Sequence, residues 1–92
     1  LEPITVLLAD DHPVVRTGLR QVIERDPALK VVAEADDGES ALALVAEWRP
    51  AIAVLDIDMP KLDGFGVARA IRRDLPETRL VFLTIHGKED LF

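Results

Sequence analysis

The feature that leaves this chain fewest options is an alternation. Short, almost continuously apolar runs, each closed by a polar residue, take turns with segments of helical periodicity. Ile4–Ala9 stops abruptly at Asp10-Asp11, residues 51–55 (AIAVL) stop at Asp56, and residues 80–83 (LVFL) stop at Thr84; residues 31–33 add a further short strand candidate. Runs this short and this uniformly apolar suit strands covered on both faces. Between them, His12-Pro13 opens a helix over residues 14–25, Pro being tolerated in the first turn because its missing N–H had no partner there. Val15, Leu19, Val22 and Ile23 form its apolar face, Arg16, Arg20 and Glu24 another, and Asp26-Pro27 ends it. Gly18 costs that helix about 1 kcal/mol relative to Ala, and close packing is the expected reason for it.

The pattern continues in the same way. Asp36-Asp37-Gly38 reads as a turn, and residues 39–49 as a helix with Leu42, Val45 and Trp48 on one side, stopped by Pro50. Residues 59–64 have the chemistry of a loop. Residues 65–73 form a third helix through Phe65, Ala68 and Ile71, with Arg69, Arg72 and Arg73 on a solvated face, and residues 86–92 read as the start of another. The order is βαβαβαβ. Right-handed crossovers turn that order into an α/β fold, a doubly wound parallel sheet with helices on both faces.

Composition removes several functions. Ninety-two residues make one small domain. Eleven basic against seventeen acidic side chains leave a net charge of −6, which repels phosphate backbones and anionic lipid, so neither direct nucleic-acid nor membrane binding by this segment is expected. The absence of cysteine excludes disulfides, thiolate metal sites and a Cys nucleophile, and a small domain without such staples fits the cytoplasm.

The polar strand ends carry the functional reading. In an open parallel sheet all strand C-termini lie on one edge, and ligands bind there at the point where strand order reverses. With the first and fourth strands flanking the third, Asp10, Asp11, Asp56 and Thr84 meet at one cavity. Clustered carboxylates repel one another unless a cation or proton neutralises them. An all-oxygen set suits a hard cation, Mg²⁺ where phosphate is handled. A carboxylate is also a competent nucleophile at phosphorus, giving an acyl phosphate. His12 and His86 are expected as loop residues beside the cavity rather than as ligands.

The string Leu7-Leu8-Ala9-Asp10-Asp11-His12-Pro13-Val14-Val15-Arg16-Thr17-Gly18-Leu19, followed by Val54-Leu55-Asp56-Ile57-Asp58-Met59-Pro60 with Leu62-Asp63-Gly64, and then by Leu83-Thr84-Ile85-His86, resembles response-regulator receiver domains. It is closest to the NarL subfamily, whose members carry a LuxR-type DNA-binding domain. The resemblance spans essentially the whole chain. It implies a flavodoxin-like (CheY-like) sheet of order 2-1-3-4-5, with Asp56 phosphorylated by a histidine kinase. Mg²⁺ would be held by Asp10, Asp11 (the more direct ligand) and Asp56. Asp58 would add chiefly its backbone carbonyl, its side chain tuning phosphate lifetime. Thr84 would be the switch hydroxyl, and Ile85 and His86 would line the entrance.

One departure stands against the family pattern. Receivers carry a lysine and a switch aromatic on a fifth strand, and none of Lys30, Lys61 and Lys88 ends such a strand. Residues 1–92 are therefore expected to be a receiver lacking its fifth strand and fifth helix, with phosphorylation or its coupling impaired. An uncovered fourth strand favours a homodimer or a swapped assembly. Two rival functions follow from the residues. Asp56-Ile57-Asp58 also resembles the Asp-x-Asp nucleophile motif of haloacid-dehalogenase-type phosphatases, although Met59-Pro60 departs from it and Asp10-Asp11 has no part in it. The other rival is an interaction fragment that pairs without phosphate.

Overall fold

Residues 2–83 are described by the computed structural model. Four strands, β1 (Ile4–Ala9), β2 (Leu29–Ala35), β3 (Ile52–Asp56) and β4 (Arg79–Leu83), form a parallel sheet in the order β2-β1-β3-β4. Helices α1 (Pro13–Ile23), α2 (Gly38–Trp48) and α3 (Gly64–Asp74) are the crossovers. The doubly wound arrangement expected from the alternation is what forms. Among the described residues, no helix is long and apolar enough to cross a membrane.

Side chains alternate along each strand, so the central strands feed two cores. Leu7, Ala9, Ala53 and Leu55 point to the face covered by α2 and α3, where Ala41, Val45, Val67, Ala68 and Ile71 meet them. Val6, Leu8 and Val54 point to the other face, against Leu19 and Ile23 of α1. A run with no polar alternation is thereby explained: β1 is buried on both sides over its last four residues. β2 is longer than the expected residues 31–33, because Lys30 and Glu34 break the apolar run without breaking the ladder.

Three large side chains expected to face inward do not. Val22 is 57% exposed, Trp48 50% and Phe65 48%, so the inward faces of the helices are narrower than their apolar spacing implies. In α2 the buried positions are Ala41 and Val45, and in α3 Val67 stands beside the expected Ala68 and Ile71. Phe65 instead meets Phe82 of β4, with ring centroids 5.4 Å apart. Gly18 is a further correction. A Cβ added there would meet nothing within 4 Å, so close packing does not explain the glycine. Gly18→Ala should therefore raise unfolding free energy by about 0.5–1 kcal/mol through lower chain entropy alone, read as a higher urea midpoint with unchanged slope.

The starts of α2 and α3 are set by side chains. Asp37, expected within a turn, is the N-cap of α2 and accepts the Ser40 N–H at 2.8 Å. That hydrogen bond holds its carboxylate below the usual range, burial opposing and the Lys61 ammonium at 3.7 Å assisting. Asp63 caps α3 in the same way through the Gly66 N–H.

Candidate functional site

The sheet register builds the site. Ala9 of β1 stands opposite Leu55 of β3, so the next rung sets Asp10 beside Asp56 at the carboxyl edge. Asp10 extends the ladder on its other side, its N–H donating to the Ala35 carbonyl at 3.0 Å. Both carboxylates are sealed in: Asp10 is fully buried and Asp56 is 5% exposed. Asp11 is half-buried one residue further on. One oxygen each from Asp10, Asp11 and Asp56, with a ring nitrogen of His12, lie within 4.8 Å of one another.

The β1–α1 turn that carries the acid pair is held from several sides. The Asp10 carboxylate accepts the His12 N–H at 2.8 Å, and Arg16 donates through Nη1 to the Asp10 carbonyl at 2.7 Å. Arg16 also donates through Nε to Glu34 on β2 at 3.1 Å, and Arg20 reaches the other oxygen of Glu34. His12 itself is the N-cap residue of α1 but makes no side-chain cap bond; its ring folds back so that Nδ1 is 2.9 Å from Asp11 Oδ1 and 3.4 Å from Asp10 Oδ1. The N-cap position of α1 thus falls on His12 and not on Asp10 or Asp11.

Beyond β3 the chain turns at once. The Asp58 N–H donates to Asp56 Oδ1 at 3.3 Å, and the Gly64 N–H donates to the Ile57 carbonyl at 2.9 Å, closing the loop onto α3. Asp58 is exposed, and its carboxylate is outside the gathered ligand set. Thr84, Ile85 and His86 lie outside the described residues.

A cluster of three carboxylates, two of them buried, carries a mutual repulsion that opposite charge close by relieves. The donor set is oxygen-dominated and converges from two strand ends, which fits a hard divalent cation. The three strand-end acids, Asp10, Asp11 and Asp56, gather as expected, and the His12 ring, expected beside the cavity, lies with them. The His12-Pro13 step was the available signal, because a residue before proline is driven to extended backbone.

Residues 6–92 match the family model of the response regulator receiver domain. The chain belongs to that family. It is a receiver domain of the type found in NarL and NarP, two-component response regulators. The nitrate/nitrite response regulator NarP of Escherichia coli K12 is 40% identical over 91 residues, which is 98% of this receiver and 42% of NarP. The signal receiver domain of the NarL response regulator from Mycobacterium tuberculosis superposes with a TM-score of 0.89 at 36% identity, covering 99% of this chain and 73% of that one. RcsB from Salmonella enterica serovar Typhimurium, solved on promoter rprA with the phosphomimetic BeF₃⁻, aligns at TM-score 0.82 and 28% identity, over 90% of this chain and 43% of that one. The receiver thus spans about two-fifths of the length of NarP, and what the rest of such a protein does is a separate matter.

Proposed function

We propose that Asp56 accepts a phosphoryl group from a histidine kinase, with Mg²⁺ held by Asp10, Asp11 and Asp56 and aided by the Asp58 backbone carbonyl. The observation that carries this reading is the β1–β3 register, which brings the Asp56 carboxylate into one 4.8 Å cluster with the acid pair. In the transfer, an Asp56 carboxylate oxygen bonds to phosphorus as the P–N bond of the donor phosphohistidine breaks and the imidazole departs with its electron pair. The bound cation supplies charge neutralisation for the phosphoryl oxygens. The chain's own contribution is positioning: the Asp58 N–H steadies one Asp56 oxygen, and the Arg16 bond to the Asp10 carbonyl fixes the turn.

Thr84 is assigned the switch hydroxyl, following Leu83, which pairs with Asp56 in the β3–β4 register. The receiver's only chemistry in this reading is self-catalysed phosphoryl acceptance and loss. The output is DNA binding through a C-terminal LuxR-type domain in the whole protein, in a cytoplasmic setting. A homodimer or swapped assembly would use the β4 side, where Val81 and Phe82 are exposed.

The test is acetyl phosphate with Mg²⁺, read by intact mass and peptide mapping of the intact protein. One hydroxylamine-labile phosphoryl group on Asp56, absent when Mg²⁺ is chelated, is the expected result. Label on any other residue, or equal labelling without a divalent ion, overturns the assignment.

A further inference from the structure

His12 stands where a fourth ligand would stand. Its Nδ1 is 2.9 Å from Asp11 Oδ1 and 3.4 Å from Asp10 Oδ1. Two ligand atoms about 2.1 Å from one octahedral ion and at right angles to it are about 3 Å apart. The Nδ1 to Asp11 separation therefore matches one edge of a coordination octahedron, and the same nitrogen belongs to the 4.8 Å set that includes Asp56.

The placement comes from the backbone. Pro13 occupies the first turn of α1, and the residue before a proline is kept out of helical backbone. His12 accordingly has φ −103° and ψ 108°, and its ring is directed to the acid pair rather than onto α1. The ring makes no helix-capping bond; its outer edge leaves the side chain 39% exposed, while Nδ1 faces inward with Asp11 Oδ1, both buried.

We propose that His12 is a nitrogen ligand that makes this site discriminate in favour of first-row transition ions over Mg²⁺, with Mn²⁺, the least demanding of them, as the probe. The inference rests on the reading of the acid cluster as a cation site and adds a specificity-determining residue to it. The chemical reason is ligand softness. Carboxylates serve Mg²⁺ and Mn²⁺ alike, whereas imidazole contributes far more to a transition ion than to Mg²⁺, which gives up water reluctantly and keeps oxygen around it. Three carboxylates alone bind both; the imidazole adds the difference. The consequence is a receiver whose occupancy follows the transition-ion supply of its surroundings as well as its Mg²⁺.

Calorimetric titrations of the intact protein with Mn²⁺ and with Mg²⁺, run at about pH 8 where imidazole is ordinarily neutral, test this together with pulsed EPR of the Mn²⁺ form. Expected are a ¹⁴N coupling on bound Mn²⁺ and a fall of about tenfold in the Mn²⁺-to-Mg²⁺ affinity ratio in His12→Ala. Mg²⁺ affinity should change less than about twofold, with the coupling absent from both His12→Ala and His12→Asn. His12→Asn keeps a polar side chain at the position, so agreement between the variants assigns the loss to the imidazole rather than to lost polarity. If both ions bind, the ¹⁴N coupling is missing and the ratio is unchanged, the role of His12 is refuted while the cation site stands. If neither ion binds, or Asp11→Ala leaves both affinities intact, the cation reading itself fails.

Discussion

Asp56→Asn should lose acyl-phosphate labelling at least about 100-fold, because an amide cannot attack phosphorus, and it should also be the more heat-stable protein when Mg²⁺ is absent. The second result follows from the geometry of the cluster. Asp56 is 5% exposed and its carboxylate is within 4.8 Å of those of Asp10 and Asp11, so the cation-free state holds like charges together in a place that water screens poorly. Two unit charges 4 Å apart interact by about 4 kcal/mol at an effective dielectric constant near 20. Hydrogen bonds to the carboxylates offset much of that repulsion, leaving a net relief of about 1 kcal/mol, or about 5 °C in a domain of this length. The amide keeps the shape of the acid, and its carbonyl can still accept the Asp58 N–H that Asp56 Oδ1 accepts at 3.3 Å. Adding Mg²⁺ should then reverse the order. At a hundredfold excess over its dissociation constant a ligand stabilises by about 2.7 kcal/mol, and the parent, with one more carboxylate, gains more than the variant. Melting curves that keep the same order with and without Mg²⁺ would falsify the claim that Asp56 belongs to the cation site.

How much of this was legible beforehand differs from element to element. β1 was readable to its last residue because Asp10 and Asp11 end an almost continuously apolar run, and the topology followed from the alternation. β2 was under-read because Lys30 and Glu34 lie inside it; Glu34 is in fact the anchor for Arg16 and Arg20, a role only the neighbouring α1 reveals. The inward placements of Val22, Trp48 and Phe65 were wrong because helical spacing fixes a direction and not the width of the surface beneath. At the site, the three aspartates were legible as strand ends, since register alone brings such ends together. His12 was legible as far as its place beside the cavity, but the turn of its ring toward Asp11 is encoded by no spacing.

The same glycine-to-alanine change that should stabilise α1 should be ruinous two elements later. A Cβ at Gly38 would overlap the carbonyl oxygen and carbon of Leu62, with the Leu62 Cβ 2.7 Å away, so the obstruction is backbone rather than the end of a flexible side chain. That backbone is not free to retreat. The loop between β3 and α3 is tied by the Leu62 N–H to the Pro60 carbonyl at 2.8 Å and by the Gly64 N–H to the Ile57 carbonyl at 2.9 Å, and Lys61 already has a left-handed φ of 69°. The start of α3 is also packed close on the β3 side, where a Cβ added at Gly64 would be 2.5 Å from the Asp56 carbonyl oxygen. Either α2 or the loop must move. Overpacking against side chains typically costs 1–3 kcal/mol, and against fixed backbone Gly38→Ala should cost about 3 kcal/mol or more. The expected reading is a fall of more than about 12 °C in melting temperature. Because the loop begins at Asp56, whatever folded protein remains should also label more slowly with acetyl phosphate, whereas Gly18→Ala should label at the parent rate. A Gly38→Ala protein as stable as Gly18→Ala would mean that α2 does not rest on the loop, and with it would go the reason the Asp56 turn is held rigid.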